Sequence, residues 1–111
     1  MTDPVLVPPE LAEVRAWLQV PATVLSDAQL QLVLDAETIL QAKACRVYEH
    51  PNGWPPELTQ ALYRRVGREV AARGVPLGIL GADTEVGPAR LARLDAEIER
   101  LEGPTRIVVF G

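Results

Sequence analysis

Chemistry-bearing side chains are scarce in this chain: it holds one cysteine, one histidine, one serine and one lysine. A catalytic site needs a nucleophile, a base and a group that stabilises developing charge, and single copies leave few ways to assemble one. Ser26 is best explained as a helix cap, because Gln29 follows it three residues later and a serine and glutamine at that spacing close a capping box. Cys45 and His50 are five apart, a spacing open to a thiolate with its base or to two metal ligands. A buried thiol near a helix end and a solvated loop histidine account for them more simply. Without a second cysteine or histidine, carboxylates alone would have to complete a zinc site. A lone Cys45 also excludes an internal disulfide and suits a reducing compartment. The inventory offers no enzyme, no metal site and no cofactor-binding residues.

Aromatic residues are equally few, with two Trp, two Tyr and one Phe, so the core is expected from Leu, Val, Ile and Ala. No apolar run approaches the ~20 residues of a membrane span, and the first residues lack a charged-then-apolar signal pattern. A soluble, intracellular product is expected. Net charge is −4, which argues against gripping phosphates as the main task, since that affinity comes from clustered Lys and Arg. The 111 residues have room for one domain.

What is present is helical patterning. A first helix is expected after Pro8 and Pro9, with Leu11, Val14 and Leu18 in register and Pro21 as its stop. A second starts at the Ser26 cap and runs to about Val47. On it Asp27, Gln31, Asp35, Thr38 and Arg46 form a narrow polar strip, while Leu30, Leu32, Val33, Leu34, Ala36, Ile39, Leu40 and Ala44 cover most of the rest. Such a helix is either wrapped by the others or meets a neighbouring subunit along part of its arc.

Residues 48–56 form a proline-rich connector. A third helix begins near Pro56, rows up Leu58, Leu62, Val66 and Val70, and ends at Gly74 with Pro76 behind it. Gln60, Arg64 and Arg68 occupy its other side, expected to be wet or to bind a partner. A glycine-rich loop of about fifteen residues follows, long enough in so small a domain to imply a contact. It lacks the Gly-Lys-Ser/Thr ending of a phosphate loop, so Gly78 and Gly81 read as bends. The carboxylate pairs Glu97 with Glu99 and Asp83 with Glu85 fall where solvated surfaces or turns would put them. A fourth helix after Pro88 carries Leu91, Leu94, Ile98 and Leu101, with Arg93 and Glu97 spaced to pair, and stops at Gly103 and Pro104.

Arg106, Ile107, Val108, Val109 and Phe110 favour a strand, which has no obvious sheet to join. Val5 to Val7 and the Ile79, Leu80 pair are the candidates within the chain; an edge on another chain is the alternative. The fold expected is therefore all-α: a single four-helix domain over 1–111, its helical core about 9–102, with a long Gly-rich loop between the last two helices and a short C-terminal β-strand or arm at 104–111.

In order, the elements carry Ala16-Trp17-Leu18, then Ser26-Asp27-Ala28, a proline-rich connector, and Leu58-Thr59-Gln60-Ala61-Leu62-Tyr63-Arg64-Arg65-Val66. This resembles the head-to-tail connector, or adaptor, family of long-tailed bacteriophages. Gly74-Val75-Pro76-Leu77-Gly78 and Val86-Gly87-Pro88-Ala89-Arg90, leading to Asp95, are similar to the actinobacteriophage versions. The likeness covers roughly residues 10–101 and is one of order and texture. It implies a structural virion protein: a homo-oligomeric ring, commonly dodecameric, docked on the portal protein at the neck. A stopper or tail-completion protein would attach below, and genomic DNA would pass through without sequence-specific binding. The chain would be made in the host cytoplasm. Partner contacts are expected at Arg64 and Arg68, at Leu77, Ile79 and Leu80 of the glycine loop, and at Ile107, Val108, Val109 and Phe110. The alternative is a small helical DNA-binding regulator using helix 56–73, whose Arg64, Arg65, Arg68 and Arg73 outnumber Glu57 and Glu69. The connector before that helix is long for a helix-turn-helix.

Overall fold

A computed structural model describes residues 7–45, 54–75 and 88–106, with side chains in the last stretch from Ala92 onward. The described residues hold four α-helices and no strand. α1 spans Leu11–Leu18, α2 Asp27–Ala44, α3 Pro56–Ala72 and α4 Pro88–Glu102, and a 3-10 turn at Gly103–Thr105 follows α4 directly.

Local chemistry sets the ends. Glu10 caps α1 in a box closed by Glu13, and the chain leaves that helix through Gln19, which takes a left-handed conformation at φ 55°. Ser26 accepts from the Gln29 backbone N–H while the Gln29 side chain reaches back to the Ser26 N–H, the expected box in full. Pro56 occupies the first turn of α3, where its missing N–H costs nothing. Gly74 sits at φ 83°, a conformation that side chains with a Cβ rarely adopt, and ends α3 where its glycine was expected to. α2 stops at Ala44, short of Val47, because Cys45 is already extended.

The core forms where α1, α2 and α3 meet. Val14 and Leu18 bring in α1, Leu30, Val33 and Leu34 bring in α2, and Leu58, Leu62, Val66 and Val70 are the expected row of α3. α4 lies chiefly on α3, burying Leu94 and Ile98. Its arrival covers part of the polar side of α3. On the side with Gln60, Arg64 and Arg68, Gln60 stays exposed, half-buried Arg64 donates to Glu97 at 2.7 Å, and Arg68 makes a surface pair with Asp95 at 2.7 Å. Glu97 therefore pairs across helices with Arg64, where its spacing suggested Arg93.

Cys45 and Arg106 form an isolated antiparallel bridge. The residue that opens the expected C-terminal strand thus pairs with the end of α2, a partner not among the two segments considered for it. Ile107 to Phe110, the glycine loop with Leu77, Ile79 and Leu80, the Leu91 side chain and His50 lie outside the described residues.

Candidate functional site

Two features stand out from the packing: a charged cluster in the interior and an apolar face in water. The cluster is centred on Glu102, which has no exposed surface. Its carboxylate accepts from Arg65 Nε at 2.5 Å and from Arg65 Nη2 at 2.7 Å, a two-point ion pair that matches the planar fork of the guanidinium. Gln41 Nε2 donates to the same carboxylate at 2.9 Å and to the Leu58 carbonyl at 2.8 Å, while Gln41 Oε1 accepts from the Trp54 indole at 2.9 Å. Arg106 reaches Glu102 from the far side at 3.2 Å. Burial opposes the charge on Glu102, but the donors from Arg65, Gln41 and Arg106 outweigh it and hold the carboxyl below the ordinary glutamate range.

Glu37 belongs to this cluster less securely. It is buried, its Oε2 lies 3.6 Å from Arg65 without a hydrogen bond, and burial raises its pKa despite the positive charges of Arg65 and Arg68. Cys45 is also buried, and burial together with the Glu102 charge pushes its thiol up, so it stays protonated at neutral pH. The links of Glu102 and Gln41 join α2, α3 and α4 and reach the flanking residues Trp54 and Arg106. Among the described residues no three of His, Cys, Asp and Glu are grouped to hold a metal ion, and no helix is long and apolar enough to cross a membrane.

The apolar face belongs to α2. Leu32 is 72% exposed, Ile39 55% and Leu40 51%, with exposed Ala36 between them, so one stripe of a well-formed helix faces solvent with almost no polar cover. Beside the stripe runs a groove of about 320 Å³ lined by Leu32, Val33, Ala36, Glu37, Leu40 and, from α3, the ion-paired Glu69 and Arg73. Of the two outcomes the sequence allowed for α2, wrapping by its neighbours holds only for the opposite side.

Of the expected interface residues, Arg64 and Arg68 are described, and both are engaged within the chain. Arg64 is also stacked over the Trp17 ring at 5.0 Å, and Trp17 in turn stacks on Tyr63 at 5.6 Å. Sequence reasoning passed over Gln41, Arg65 and Glu102 as interior groups. The signal was present: Arg65 follows Leu58 by seven and Leu62 by three, and Glu102 follows Leu94 by eight and Ile98 by four, so both sit on apolar rows. Comparison with protein-family models, curated proteins and solved structures returned no match.

Proposed function

We propose that this chain is a structural subunit of a phage head-to-tail connector, a ring docked on the portal that joins the DNA-filled capsid to the tail. The observation that supports assembly most directly is the α2 stripe, where Leu32, Ile39 and Leu40 stand in water. Contiguous exposed apolar surface of this kind marks a contact with another macromolecule. The order and texture of the elements supply the connector reading itself, and the glycine loop and the 107–110 segment are its further candidate contacts. A DNA-binding regulator fits less well, because Glu97 and Asp95 of α4 stand beside Arg64 and Arg68 and offset their positive charge.

Electron microscopy of the assembled virion tests the proposal. A ring of these chains between portal and tail is expected; virions that contain no copy of the chain at the neck would end it.

A further inference from the structure

We draw no further inference here: the strongest candidate, the exposed apolar stripe of α2 at Leu32, Ala36, Ile39 and Leu40 with the groove beside it, is an unpartnered face, and nothing in the structure shows what covers it.

Discussion

Glu102 carries its charge where no water reaches it, so its worth lies in what it neutralises. Removing one member of a buried ion pair strands the other, at a cost of about 3–5 kcal/mol, a large share of the roughly 5–15 kcal/mol that holds a small domain together. Glu102→Gln is therefore expected to lower the urea midpoint severely or prevent folding, whereas Arg65→Met with Glu102→Leu should recover most of the loss, since apolar replacement of both partners removes the stranded charge. Equal losses in the single and double variants would show that the pair adds nothing beyond packing. Glu37 works in the opposite sense. Its pKa is raised in the folded chain, so its stabilising contribution is complete below the ordinary glutamate value and is lost as pH rises through the raised one. Glu102, held low, contributes above the ordinary value and is lost as pH falls through its depressed one. Glu37→Gln should thus leave stability at pH 7 unchanged or raise it by about 1 kcal/mol, with the difference from wild type closing in acid, while Glu102 governs acid unfolding. A loss of several kcal/mol in Glu37→Gln at pH 7 would mean that the 3.6 Å approach to Arg65 outweighs burial.

Among the elements, α3 was the most legible in the sequence and α2 the least. The row Leu58, Leu62, Val66 and Val70 is buried as its spacing requires, and Pro56 and Gly74 mark the ends. Periodicity identified the helices because each buries at least one apolar row. It could not say which side of α2 is covered, because that helix is apolar nearly all round, and the choice is made by partners elsewhere in the chain. The result is that Gln41 and Glu37 are buried while Leu32 is exposed, with Gln41 bonded to Glu102 and Glu37 beside Arg65. Pairing between α3 and α4 was hidden for the same reason: Arg64 and Arg68 find carboxylates on a helix some thirty residues away, while local spacing offered only Arg93 to Glu97. Replacing Arg64 and Arg68 together by Glu is expected to destabilise the α3 and α4 packing by about 1–3 kcal/mol, from two lost ion pairs and the Arg64 stack on Trp17. Chemical denaturation of the double variant measures it; a stability unchanged within a few tenths would leave these arginines free for an external partner.

At the scale of the described residues together, α2 has a covered side closed by polar links and an uncovered stripe left apolar. The interior ties α2, α3 and α4 through one carboxylate, and Arg15 adds a tie between α1 and the start of α2 by donating to Asp27 at 2.7 Å and to the Val20 carbonyl. The exterior is where association is expected. Leu32→Ser with Ile39→Ser should therefore raise solubility and leave the thermal midpoint within a few degrees, since neither side chain contributes to the core. A fall of more than about ten degrees would place those residues under cover in the folded chain.

The placement of Glu102 also sets the order in which the chain can fold. It is the last residue of α4, yet Gln41 and Arg65 depend on it from sixty-one and thirty-seven positions earlier. A chain made from its N-terminus forward displays Arg65 on the buried face of α3 with only the looser Glu37 as counter-charge, 3.6 Å away, until α4 has left the ribosome. Closure is therefore a late and non-local step, so the chain is expected to fold as a unit after synthesis, and a version stopped before residue 102 should remain open.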